Sequence, residues 1–199
     1  MKVKVLFLAA NPISPKPLAL DEEIRAITQK IRAAEHRDLI EVIQAHAVRA
    51  DDLQDALLQH QPQIVHFSGH GTSANELVLL DNSGQPKPLS QAALVSLFKA
   101  LKDNIQVVVL NACYSAPQAE AITAHIPCAI GMSDAIRDDA AGTFASSFYR
   151  ALAYGRSVQT AFDLGVQAIE GEGIPQEHIP HLRTQQGVEA ADLVVVNPT

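Results

Sequence analysis

The sequence predicts an α/β three-layer sandwich, a mostly parallel sheet with helices on both faces. Three observations predict it. Short apolar runs alternate with segments whose apolar residues recur every three or four positions. The runs are nearly continuous, as strands covered on both faces require. No internal repeat or low-complexity stretch breaks the alternation, and 199 residues at 47% apolar content suffice for one domain, 1–199, with a continuous core.

The elements follow in order. Val3–Ala10 reads as a buried strand, and the three prolines within residues 11–17 forbid regular structure after it. Ile24, Ile27, Ile31 and Ala34 share one face of a helix over 21–36, whose opening Asp21, Glu22 and Glu23 suit the positive end of the helix dipole. Residues 39–48 form a second strand. A helix over 51–60 carries Leu53, Leu57 and Leu58 and stops at Pro62. The third strand, 64–67, runs into Ser68-Gly69-His70-Gly71. Residues 76–80 and the turn at 81–84 predict a small hairpin. Ser90 caps a helix with Leu94, Leu97, Phe98 and Leu101 as its stripe. Strand 107–110 ends at Asn111-Ala112-Cys113, a short helix spans 117–124, and Cys128–Met132 is a fifth strand. Helices follow at 138–153, closed by Gly155, and at 157–170. Residues 171–175 form a loop, and 193–196 are expected as the final strand.

Composition narrows the function. Fifteen basic against twenty-two acidic residues leave a net charge of −7 without any basic run. Tracking a phosphate backbone needs clustered positive charge, so nucleic acid is excluded as a partner. The absence of Trp and an aromatic content of 5% argue equally against base stacking. The apolar runs are too short to span a bilayer, and Asn11-Pro12 interrupts the first before it could act as a secretion signal. The expected setting is therefore the cytoplasm, without membrane contact. Two cysteines form neither a disulfide framework nor a four-Cys zinc site. His66 and His70 have the spacing of zinc ligands on a helix, but they lie on a strand and Phe67 replaces the glutamate that such a site uses. No calcium-loop motif is present either. No metal and no cofactor are expected.

Ligands of such sheets collect beyond the carboxyl ends of the strands. His70, flanked by Gly69 and Gly71, and Cys113 both follow core strands there. Adjacent strands lie about 4.8 Å apart, so a thiol and an imidazole just past their ends can meet as nucleophile and base. Backbone N–H groups near Gly71 and Cys113 would then hold the developing oxyanion. Taken singly, a His or Cys at a strand end is usually structural; their joint placement carries the reading. A phosphate-binding Cys-x5-Arg loop fails because position 119 is Ala119, and an amidotransferase elbow fails for want of glycines around Cys113. Cys128, inside an apolar strand, is expected to pack. His66 is expected to be a satisfied interior residue, Ser68 to orient the His70 loop, and His178 and His181 to lie on a surface loop.

The segments Ile64-Val65-His66-Phe67-Ser68-Gly69-His70-Gly71 and Val107-Val108-Val109-Leu110-Asn111-Ala112-Cys113-Tyr114-Ser115-Ala116 together resemble the CHAT family of caspase-like cysteine peptidases. The clan includes caspases, metacaspases, gingipains and separase. His70 and Cys113 stand 43 residues apart, near the roughly 50 of caspases. The opening 5–12 and the stretch from Ile130-Gly131-Met132 through Phe144, Phe148 and Tyr149 are similar as well. The resemblance implies a six-stranded caspase-type sheet of order 2-1-3-4-5-6, with His70 and Cys113 as the dyad and the Gly71 and Cys113 amides as oxyanion donors. It implies that Asn111 lines the S1 pocket, where an aspartate would favour a basic P1 residue. It also places Asp138 opposite a P1 arginine, with Asp134 and Asp139 as rivals; Asp138 equally suits the first turn of a helix. The expected function is a cysteine endopeptidase that cleaves a protein target after a basic P1 residue in bacterial defence or stress response, switched on by a partner protein or fused domain. The alternative is a catalytically silent adaptor.

Overall fold

A computed structural model describes residues 2–11 and 19–197; most of the proline-rich segment read as irregular, 12–17, lies outside them. Six strands form the main sheet: β1 (Val3–Ala10), β2 (Ile40–His46), β3 (Ile64–Gly69), β6 (Val107–Asn111), β7 (Cys128–Met132) and β8 (Pro180–Thr184). They lie in the order β2-β1-β3-β6-β7-β8, which is 2-1-3-4-5-6 when the sheet's own strands are counted along the chain. All neighbours are parallel except β7 and β8. The expected hairpin is present as β4 (Leu77–Leu80) and β5 (Pro86–Leu89), a separate antiparallel pair.

Alternate residues of each strand feed two cores. One face of the sheet, carrying Phe7, Ile64, Val109 and Ile130, packs under α1 (Leu20–Arg32), α5 (Asp138–Leu152) and α6 (Val158–Gly171). The other face, carrying Leu8, Val65, Leu110 and Ala129, packs under the hairpin and α2 (Ala50–His60), α3 (Gln91–Ala100) and α4 (Ala116–Ile122). Ser90 Oγ does cap α3, accepting from Ala93 N–H. Each fully buried large apolar side chain contributes about 1.5–3 kcal/mol, so both layers are held independently. No helix among the described residues is long and apolar enough to cross a membrane.

The last strand is not where the apolar pattern put it. Residues 193–196 form no strand; Val195 and Val196 are buried as irregular chain against the α5/α6 core, and Leu193 O accepts from Val158 N–H. The sheet is completed instead by β8, an edge strand paired on one side only, which therefore lacks a long apolar run. His181 consequently belongs to a strand, half-buried beside Arg183, while His178 is exposed in the preceding loop.

Candidate active site

Strand register sets the two expected catalytic residues just past the ends of neighbouring strands. Ser68 on β3 and Asn111 on β6 are direct partners in parallel strands, and two residues further on stand His70 and Cys113. With a side-chain period of two, His66, Ser68 and His70 share the sheet face turned toward α1 and α5, as do Asn111 and Cys113. His70 and Cys113 line one cavity of about 500 Å³, walled by the openings of α1 and α5.

Local devices hold both loops. His70 O accepts from Val78 N–H at 2.9 Å, and Thr72 N–H donates to Glu76 O at 2.9 Å, so the His70 loop is stitched to the hairpin. Cys113 sits ahead of Tyr114, whose φ of +58° turns the chain sharply in a region costly for a non-glycine residue. Ser115, fully buried, then spans two strands: its Oγ donates to Leu110 O at 2.8 Å and accepts from Met132 N–H at 2.9 Å. Gly71 lies against the Cys113 backbone so closely that a Cβ there would fall 1.9 Å from Cys113 O. The Gly71 and Cys113 N–H groups make no backbone hydrogen bond among the described residues.

The Cys113 thiol points to Ile136 O at 3.8 Å, and His70 Nε2, buried, has no partner among the described residues. Partial burial lowers the His70 pKa below its ordinary value, opposed by the negative charge of Asp138. His70 is thus kept neutral near pH 7, the form able to take a proton. Cys128, as expected, is a core residue; burial pushes its thiol up to about 11.

Asp138 and Asp139, in the first turn of α5, both line the cavity, whereas Asp134 does not. Asp134 instead faces Tyr114 and raises its phenol pKa, and Asp139 is paired with the exposed Arg137. Asn111 lines the cavity too, but its Nδ2 is turned inward, donating to Glu23 Oε1 at 2.6 Å and to Ala141 O at 3.3 Å. Ser68 is not a brace for the His70 loop: its Oγ donates to Glu23 Oε2. Its one O–H hydrogen is committed to a buried carboxylate, the stronger acceptor.

Glu23 was hidden in the sequence among three consecutive acidic residues. One signal marks it, since it stands four residues before Ile27 and so falls within the apolar stripe of α1. There it is 8% exposed. His66 lies behind it as an interior residue, its Nε2 3.0 Å from Glu23 Oε1, its Nδ1 3.1 Å from the Tyr149 hydroxyl, and its ring stacked on Phe7 at 4.9 Å.

The chain is similar to known proteins over most of its length. The family model of the CHAT domain matches residues 7–169. A Roc-COR-CHAT protease from an unidentified prokaryote is 28% identical over 185 residues, covering 89% of this chain and 17% of that protein. A probable protease of Gillisia limnaea is 26% identical over 175 residues, covering 85% and 31%. The chain thus spans less than a third of either relative. Caspase-1 from Spodoptera frugiperda superposes with a TM-score of 0.61 at 12% identity, covering 94% of this chain and 87% of that one, which establishes the caspase-like fold. With most of its length matched by the family's model and its strands in the caspase arrangement, the chain belongs to the CHAT domain family.

Proposed function

We propose that the chain is a cysteine endopeptidase that cleaves a protein target after a basic residue. The observation that carries this reading is the shared cavity: His70 and Cys113 both line it, and the charged residues lining it, Glu22, Glu23, Asp138 and Asp139, are all carboxylates, with no Lys or Arg among the described lining residues. In the proposed reaction His70 takes the Cys113 thiol proton, and the thiolate attacks the scissile carbonyl carbon. The oxyanion is received by the Gly71 and Cys113 N–H groups. The intermediate collapses by expelling the amine, which leaves with the proton from His70. Water, deprotonated by His70, then hydrolyses the thioester and frees Cys113. Asp138 at the rim, with Asn111, receives the P1 side chain.

The relatives are much longer than this chain, which supports a trigger supplied by a partner protein or a fused domain; the role we assign is bacterial defence or stress response. Reporter peptides with Arg, Lys or Asp at P1, incubated with the protein and its Cys113→Ala variant, test the proposal. Cleavage after Arg or Lys that vanishes in Cys113→Ala is the expected result. A second reading, a silent adaptor, is favoured by the thiol's turn toward Ile136 O and the unpaired His70 Nε2. It predicts no cleavage of any peptide and a Cys113 that alkylates no faster at pH 6 than an ordinary thiol.

A further inference from the structure

Position 111 raises a question of charge. The family resemblance implies basic selectivity for an aspartate there, and this chain has the uncharged Asn111. The structure puts a carboxylate within 2.6 Å: Glu23 Oε1 accepts from Asn111 Nδ2, and Glu23 lines the cavity. Two further donors hold the same carboxylate, His66 Nε2 on Oε1 and Ser68 Oγ on Oε2. An ionised carboxylate offers about four acceptor sites, so one remains on Oε2. The neighbouring Asn111 Oδ1 is an acceptor with no donor among the described residues.

The hydrogen bonds around Glu23 form a continuous chain. Burial and the Glu23 charge together raise the Tyr149 pKa well above its ordinary value, so its phenol keeps its proton. Donation from the Tyr149 hydroxyl to His66 Nδ1, and from His66 Nε2–H to Glu23, satisfies all three groups at once. No Lys or Arg among the described lining residues faces Glu23, in a site shielded from solvent where attraction is stronger than at the exposed Asp138.

We infer that Glu23, held by Asn111, Ser68 and His66, is the specificity-determining charge at the floor of the P1 cavity, recognising an arginine side chain. Arginine is favoured over lysine because its planar fork of N–H donors suits carboxylate geometry, whereas a lysine ammonium is a point charge. The inference rests on the peptidase reading for the identity of the cavity, but binding can be measured without cleavage.

The test uses the full chain carrying Cys113→Ala, with N-acetyl-arginine methylamide and N-acetyl-norleucine methylamide as probes, read by NMR titration. Adding Glu23→Gln is expected to weaken the arginine probe at least tenfold and leave the norleucine probe within twofold. Glu23→Asp and Ser68→Ala, which keep the charge but loosen its placement, should give smaller losses confined to the arginine probe; they serve where Glu23→Gln fails to fold. Equal weakening of both probes, or no preference for arginine in the Glu23-intact chain, overturns the inference. Arginine-selective binding lost with Glu23, where the Cys113-intact chain cleaves no reporter peptide, would uphold the assignment and reject the peptidase.

Discussion

Replacing Gly71 by alanine is the sharpest test of how the two loops meet. The new Cβ would stand 1.9 Å from Cys113 O, 3.0 Å from its carbonyl carbon and 3.3 Å from its nitrogen, where contacts under 3.0 Å are essentially never found. All three are backbone atoms, so no change of rotamer relieves the clash, and the segments must part by about 1 Å. Overpacking of this kind costs about 1–3 kcal/mol. At this chain length each 1 kcal/mol lowers Tm by roughly 2–4 °C. The same displacement separates the two proposed oxyanion donors, and a misplacement of about 1 Å costs on the order of 10²-fold in rate. Gly142→Ala is the control for the melts only, since Gly142 also lines the cavity: nothing lies within 4 Å of its Cβ, and it sits inside α5. An alanine there should raise stability by about 1 kcal/mol. Thermal melts and kcat/KM with an arginyl peptide measure both effects. A Gly71→Ala protein that melts and turns over like the parent would refute the contact between these loops.

Further outcomes follow from the same geometry. Because burial lowers the His70 pKa and Asp138 opposes it, the acid limb of kcat/KM should lie below pH 6.5, where protonation of His70 removes the base. Asp138→Asn should move that limb to still lower pH; a pH–rate profile shifting upward would contradict the assignment. Iodoacetamide at pH 7 should modify Cys113 and spare Cys128, whose thiol is held near 11, and peptide mass spectrometry reads the two sites separately. Ser115→Ala leaves the Met132 N–H buried without its acceptor, and should cost about 1–3 kcal/mol in urea unfolding. Tyr149→Phe removes the donor to His66 Nδ1 and should cost a similar amount, about 1–3 kcal/mol, by the same measurement.

Most of the sheet was legible because parallel core strands announce themselves as unbroken apolar runs. Val3–Ala10, Val107–Asn111 and Cys128–Met132 are buried along all or nearly all of their length. Burial alone does not distinguish a strand from irregular chain, which is why residues 193–196 misled. Val195 and Val196 do enter the core, but the backbone here pairs with a helix start rather than a sheet. Pro180–Thr184 was silent for the opposite reason: an antiparallel edge strand with polar alternation carries little signal. At the site, His70, Cys113 and Asp138 could be placed because loops after strands are short. Glu23 and Tyr149 could not be connected, since 126 residues separate partners that meet only through His66, and a first-turn glutamate has an ordinary explanation in the helix dipole.

One feature of the architecture separates two tasks. The loop bearing His70 is laced to the hairpin on one side of the sheet, while the acidic wall of the cavity is built from α1 and α5 on the other. Shear between the layers would alter the spacing of imidazole and sulfur and leave the wall's own shape intact. Mutational drift in the hairpin layer can thus retune the chemical step, and drift in the opposite layer can retune what is bound, with the charge of Asp138 on His70 coupling the two.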